Sequence, residues 1–157
     1  MIKYLVMDVD GTLTDGKIYM SNTGELMKAF NIKDGAGIHD ILIPSGIIPV
    51  IITGRTSDIV LNRCKELGIT EVYQGVSNKI EKLSAIIGGE DKLNTVAYIG
   101  DDINDLSCMK PIKEAHGLVG CPADAVQKVK DIAEYVAVHN GGDGAVRDFI
   151  EWLVVKA

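Results

Sequence analysis

Three apolar runs, each closed by polar residues, constrain this chain more than any other feature of its 157 residues. Ile2 to Met7, Ile47 to Thr53 and Thr95 to Ile99 are nearly unbroken by charge, the pattern of strands covered on both faces rather than on one. Between and after them lie segments with helical spacing. Asp34 can cap a helix reaching about Ile43, and Ser57 or Asp58 opens one with Ile59, Val60, Cys64 and Leu67 on a face, stopped at Gly68. Ser77 can cap a helix over 78–87. Shorter helices are expected over 104–110 and 124–130, and a final one after Gly144 carries Val146, Phe149, Ile150, Leu153 and Val154. Short strands fit at 71–74, 117–120 and 135–138. Strands alternating with helices predict an α/β fold, a doubly wound parallel sheet in a single domain over 1–157.

Such sheets bind ligands beyond the carboxyl ends of their strands. Asp8 and Asp10 end the first run, Thr53 the second, Asp101 and Asp102 the third, and Asp105 follows one helical turn later. Residues two apart on a strand point the same way, so Asp8 and Asp10 face one site. Carboxylates crowded where a buried strand ends repel one another unless a cation or a proton compensates. Because the group is all oxygen, with no histidine cluster, magnesium fits better than zinc.

One departure from simple alternation lies at 17–31. Lys17 to Met20 and Leu26 to Asn31 flank the turn-rich Ser21-Asn22-Thr23-Gly24 and read as a projecting β-hairpin. Its apolar Ile18, Met20, Leu26 and Phe30 leave edges that want a partner.

Composition limits the function classes. The net charge of −6 argues against a nucleic-acid partner. No apolar stretch reaches membrane-spanning length, since 41–53 is interrupted by Pro44, Gly46 and Pro49, so no membrane association is expected. With no secretory leader pattern at its start, a cytoplasmic location is expected. Cys64, Cys108 and Cys121 are odd in number and lack CxxC spacing, which predicts buried free thiols.

In order along the chain, Asp8-Val9-Asp10-Gly11-Thr12, Ile51-Ile52-Thr53-Gly54-Arg55, Lys79 opening a helix, and Gly100-Asp101-Asp102-Ile103-Asn104-Asp105 resemble the four motifs of the haloacid dehalogenase (HAD) superfamily of phosphohydrolases. The likeness extends over the chain to a cap-less branch of that superfamily. It is carried also by Asp15-Gly16-Lys17-Ile18-Tyr19, Phe30-Asn31-Ile32-Lys33-Asp34-Gly35, Tyr73-Gln74-Gly75-Val76-Ser77-Asn78-Lys79 and Gly141-Gly142-Asp143-Gly144-Ala145-Val146-Arg147. The resemblance implies a Rossmann-like HAD fold without a cap domain. It also implies a magnesium-dependent phosphatase acting on a small-molecule sugar acid phosphate, KDO 8-phosphate (3-deoxy-D-manno-octulosonate 8-phosphate). Related enzymes assemble as tetramers through the hairpin, so a homotetramer is expected, with the glycine tail at 141–144 reaching a neighbour's site.

Chemistry assigns roles to the same residues. A phosphate dianion repels an attacking carboxylate, so an aspartate nucleophile needs a bridging cation and fixed donors around phosphorus. Asp8 is expected to attack and form an aspartyl-phosphate. Asp10 is expected to protonate the leaving alkoxide and then deprotonate water, and by resemblance its backbone carbonyl ligates magnesium. Thr53 would bond a phosphoryl oxygen, and Lys79 would balance the charge of Asp8. Asp101 would ligate the metal directly, with Asp102 and Asp105 holding its waters or orienting Lys79. For the substrate, Arg55 or Arg63 could grip a sugar carboxylate bidentately. Gly54, Asn78, Lys33, Gly142 and Asp143 are the other contact candidates.

Asp143 stands where a basic residue is common among octulosonate enzymes, which leaves nine-carbon substrates open, N-acylneuraminate or KDN 9-phosphate. A receiver-like phosphoacceptor domain and a non-catalytic oligomerisation module are the rival classes. A receiver, however, carries its acceptor on a middle strand of the chain and lacks an acid–base partner like Asp10.

Overall fold

The computed structural model describes residues Met1–Ala157. Six parallel strands form one sheet in the order β5-β4-β1-β6-β7-β8. They are β1 (Tyr4–Met7), β4 (Ile48–Ile52), β5 (Glu71–Tyr73), β6 (Val96–Ile99), β7 (Leu118–Cys121) and β8 (Tyr135–Val136). The first strand lies in the middle, paired in register with β4 (Met7 beside Ile51) and β6 (Met7 beside Ile99), so all three predicted runs finish at one edge.

Strand parity divides the core. Leu5 and Met7 point to the face covered by α2 (Asp58–Leu67) and α6 (Ala145–Lys156), packing with Val60, Val146 and Phe149. Val6, Val50, Ile52 and Tyr98 point to the opposite face, against Leu83 of α3 (Lys79–Ile87) and Met109 of α4 (Leu106–Glu114). By the same alternation Asp8 follows Val6 toward the α3 side, which is the side Lys79 comes from.

Several local expectations are corrected. The helix after the hairpin, α1 (Ile32–Ala36), continues as a wider-wound turn over Gly37–Leu42, and its cap is Asn31, whose side chain accepts the Lys33 N–H. Asp34 lies inside it, buried, and accepts the Arg147 N–H at 2.9 Å, so it caps α6 from across the fold. That helix needs an outside acceptor because its own N-cap, Gly144, has no side chain. Asn78, not Ser77, caps α3 by accepting the Glu81 N–H. The short helix α5 (Gln127–Lys130) starts three residues after Asp124.

The hairpin is formed by β2 (Tyr19–Ser21) and β3 (Gly24–Met27), antiparallel and separate from the main sheet. Its second arm ends earlier than the sequence pattern predicts. Phe30 leaves it to pack on the core, while Ile18, Met20, Leu26 and Met27 stay 46–63% exposed. Neither this hairpin nor any other insertion forms a cap domain. No helix is long and apolar enough to cross a membrane, and Cys64, Cys108 and Cys121 are buried free thiols.

Candidate active site

Asp8 leaves the end of β1 nearly buried and meets the Lys79 ammonium at 2.9 Å. Lys79 is the first residue of α3 and equally buried, and its Nζ also donates to Asp105 Oδ1 at 2.8 Å. Asp105 has no exposure at all. Its Oδ1 takes a second donor, the Tyr98 hydroxyl at 2.7 Å, and its Oδ2 accepts the backbone N–H groups of Asp101 (3.0 Å) and Asp102 (3.2 Å). Four donors thus occupy Asp105, making it the anchor that aims Lys79 at Asp8 and holds the loop after β6 in place.

Asp101 stands opposite. Its Oδ1 accepts the Thr12 hydroxyl at 3.1 Å, and the loop after Asp10 runs so close that a β-carbon on Gly11, whose φ is +90°, would lie 2.0 Å from Asp101 Oδ2. Only glycine permits that approach. One carboxylate oxygen each from Asp8, Asp101 and Asp105 lie within 4.8 Å of one another. Because the oxygens of Asp105 are already committed, Asp8 and Asp101 are the two with capacity for a cation.

The electrostatics point the same way. Burial first, then the Asp105 charge, raises Asp8 to about 6 against the pull of Lys79. Burial, then the charges of Asp8 and Asp105, raises Asp101 to about 8. Lys79 loses by burial but gains more from Asp8 and Asp105, and stays charged. Three carboxylates facing one ammonium are short of positive charge, and an all-oxygen donor set of this kind fits a hard divalent cation.

Asp10 sits at the mouth of the site. Its carboxylate accepts from Lys28 Nζ at 2.6 Å and lies 3.8 Å from Arg55 Nε. Glu25 of β3 pairs with the same two cations, Lys28 at 3.1 Å and Arg55 at 3.4 Å, and accepts the Ser57 hydroxyl at 2.7 Å. Thr53 is buried at the end of β4, with Gly54 exposed beside it.

Other candidates are placed elsewhere. Asp102 is exposed and turns its carboxylate to the Ile103 N–H, starting the helix there rather than facing Lys79. Asn78 spends its amide on Glu81 as the α3 cap. Arg63 pairs with Glu66 at 2.8 Å and lies over the Phe30 ring, behind α1 rather than with the carboxylates. Lys33 is exposed and offers its carbonyl to Arg147.

The first two residues of the tail at 141–144 pack on their own chain. Gly141 N–H donates to Asp124 and Gly142 N–H to the Thr12 carbonyl, and both residues press on Gly11 to Asp15 of their own chain, leaving Asp143 exposed. Sequence reasoning missed Lys28, Glu25, Thr12 and Tyr98. Lys28 and Glu25 reach the site only once the hairpin folds over, and Tyr98 is hidden in an apolar strand; Thr12 alone was signalled, as the last residue of its motif.

No family model matches the chain. Among curated proteins, 3-deoxy-D-manno-octulosonate 8-phosphate phosphatase KdsC of Escherichia coli K12 is 45% identical over 158 residues, covering 98% of this chain and 80% of the relative. Among solved structures, the same phosphatase from Moraxella catarrhalis, in complex with magnesium, phosphate and KDO, superposes with a TM-score of 0.86. It is 39% identical, over 99% of this chain and 86% of that one. The cobalt-bound phosphatase from Haemophilus influenzae superposes with a TM-score of 0.84 at 34% identity, over 99% and 88%. With its motif carboxylates gathered at one sheet edge and its likeness running nearly end to end, the chain belongs to the 3-deoxy-D-manno-octulosonate 8-phosphate phosphatase family of the haloacid dehalogenase superfamily.

Proposed function

We propose that this chain is a magnesium-dependent phosphatase that hydrolyses KDO 8-phosphate to KDO and inorganic phosphate through an aspartyl-phosphate on Asp8. The observation that carries the reading is Asp8 held by a buried Lys79–Asp105 pair, with Asp10 two residues on, in a chain 39% identical to a structure holding magnesium, phosphate and KDO. Asp8, Asp101 and the backbone carbonyl of Asp10 would hold the ion. Bound there, magnesium would draw charge from the phosphoryl oxygens and lessen their repulsion of the Asp8 carboxylate.

The chain's own groups carry the reaction. An Asp8 carboxylate oxygen attacks phosphorus as the bond to the sugar oxygen breaks, and Asp10 gives that oxygen its proton. Asp10 then takes a proton from water, whose oxygen attacks phosphorus and releases phosphate and the free Asp8 carboxylate. Lys79 offsets negative charge gathering on Asp8 and the transferring group, and the Thr53 hydroxyl supplies a donor to a phosphoryl oxygen. Arg55, exposed beside Asp10, is the cation for the sugar carboxylate. The apolar hairpin surface of Ile18, Met20, Leu26 and Met27 supports assembly into a homotetramer.

A phosphate-release panel with magnesium tests the substrate: KDO 8-phosphate, N-acetylneuraminate 9-phosphate, KDN 9-phosphate and hexose phosphates. KDO 8-phosphate should give the highest kcat/KM. Hexose phosphates turned over equally well would overturn the reading, and a nine-carbon acid turned over best would move it to the alternative that Asp143 leaves open.

A further inference from the structure

We infer that Lys28 is a positioning residue for the acid–base carboxylate: the hairpin delivers its ammonium onto Asp10 and fixes the direction in which that carboxyl presents itself to the departing oxygen. The inference rests on the proposed role of Asp10, and the experiment below separates the two.

Asp10 stands beyond the end of β1, 22% exposed by its side chain, where no strand pairing restrains it. Its side-chain partners are Lys28 at 2.6 Å and the half-exposed Arg55 at 3.8 Å. Lys28, by contrast, is fixed. Its side chain is only 3% exposed although it directly follows a hairpin that lies outside the core, and its Nζ is shared between Asp10 and Glu25. Glu25 is tied in turn to the Ser57 hydroxyl, and the Ser57 N–H donates to Gln74 Oε1 at 2.9 Å.

A continuous series of contacts therefore runs from the loop after β4, through β3, to Asp10. Burying a lysine head costs free energy that an exposed hairpin could avoid by leaving it in water. Here the ammonium is offset by two carboxylates, one of which is the proposed proton donor. Proton donation needs the acid within hydrogen-bond reach of the ester oxygen, and a misplacement of about 1 Å costs on the order of 10²-fold in rate.

The test uses two small monoesters of similar size, benzyl phosphate and p-nitrophenyl phosphate, assayed with magnesium. Benzyl alkoxide is strongly basic and must be protonated as it leaves; nitrophenolate leaves unaided. Since kcat/KM reports steps up to alcohol release, the common dephosphorylation step does not enter it. Lys28→Met should lower kcat/KM for benzyl phosphate by roughly 10²-fold while leaving that for p-nitrophenyl phosphate within about 3-fold. Lys28→Arg, which keeps a cation at Asp10, should recover most of the loss.

An equal fall for both esters, or no fall, would overturn the inference, because a merely structural lysine cannot sense the leaving group. Asp10→Asn measured in parallel must show the same selectivity in stronger form. If it shows none, the reading of Asp10 fails and takes this inference with it. Melting temperature and oligomeric state identify a variant whose hairpin has come loose, in which case Lys28→Arg alone decides: a leaving-group profile unlike the unmodified protein's would overturn the inference, and one like it would support it.

Discussion

Replacing Lys79 with methionine keeps most of the side chain's length and removes the charge on which two buried carboxylates depend. Asp8 and Asp105 lie 2.9 and 2.8 Å from its ammonium, with side chains 7% and 0% exposed. Removing one partner of a buried pair typically costs about 3–5 kcal/mol, because the remaining charge is left uncompensated. For a chain of this size each kcal/mol is worth about 2–4 °C, so melting should fall by roughly 6–20 °C at pH 8. The loss should depend on pH. Without Lys79, Asp8 rises further above its ordinary range, so the folded variant takes up protons the unfolded chain does not, and its stability falls as pH rises from about 4 to 8. Urea unfolding of variant and unmodified protein, without metal, should show a gap that narrows from pH 8 to pH 5. Lys79→Met combined with Asp105→Asn should recover part of the difference. A gap under about 1 kcal/mol, constant with pH, would refute the reasoning, since an exposed pair behaves that way.

The metal-free protein carries a related signature. Asp8 and Asp101 titrate near 6 and 8 when folded, above their ordinary value of 3.8, so its stability should fall as pH rises across that interval, and magnesium should raise the melting temperature more at pH 8 than at pH 5. At a hundredfold excess over Kd the gain is about 2.7 kcal/mol; equal shifts at both pH values would contradict the carboxylate site. Gly141→Ala places a β-carbon 1.9 Å from the Gly11 carbonyl oxygen. Because backbone must move, kcat/KM should fall by on the order of 10²-fold with only about 1–3 kcal/mol of stability lost, which steady-state kinetics and urea unfolding together check.

The sheet was legible because its three long strands are apolar on both faces and end on polar residues, and that edge rule alone gathers Asp8, Thr53, Asp101 and Asp105. What failed were contacts that exist only after distant segments meet. Asp34 has the composition of a local cap, yet its acceptor goes to Arg147, since α6 begins at a glycine and must borrow one. Asp102 and Asp105 look equivalent in sequence; one helical turn carries Asp105 inward beneath Tyr98 and leaves Asp102 in solvent. Arg63 reads as a ligand for an anion, but its position on α2 faces Glu66 and Phe30. Gly141 and Gly142 have no room for side chains because they lie flat on Gly11 to Asp15, a reason invisible without the fold. Lys28 carries no local sign of its role, being a lone cation between two apolar residues and Phe30, and only the hairpin's closure brings it to Asp10.

The claim beneath all of this is that Asp8 itself takes the phosphoryl group. Acid-quenching the enzyme during turnover of radiolabelled substrate, followed by borohydride reduction and peptide mapping, reads that event at a single residue. The account predicts label bound to protein during turnover and homoserine at position 8 after reduction, both absent in Asp8→Asn. Turnover without protein-bound label under conditions that preserve acyl phosphates, or reduction mapping to another carboxylate, would contradict it.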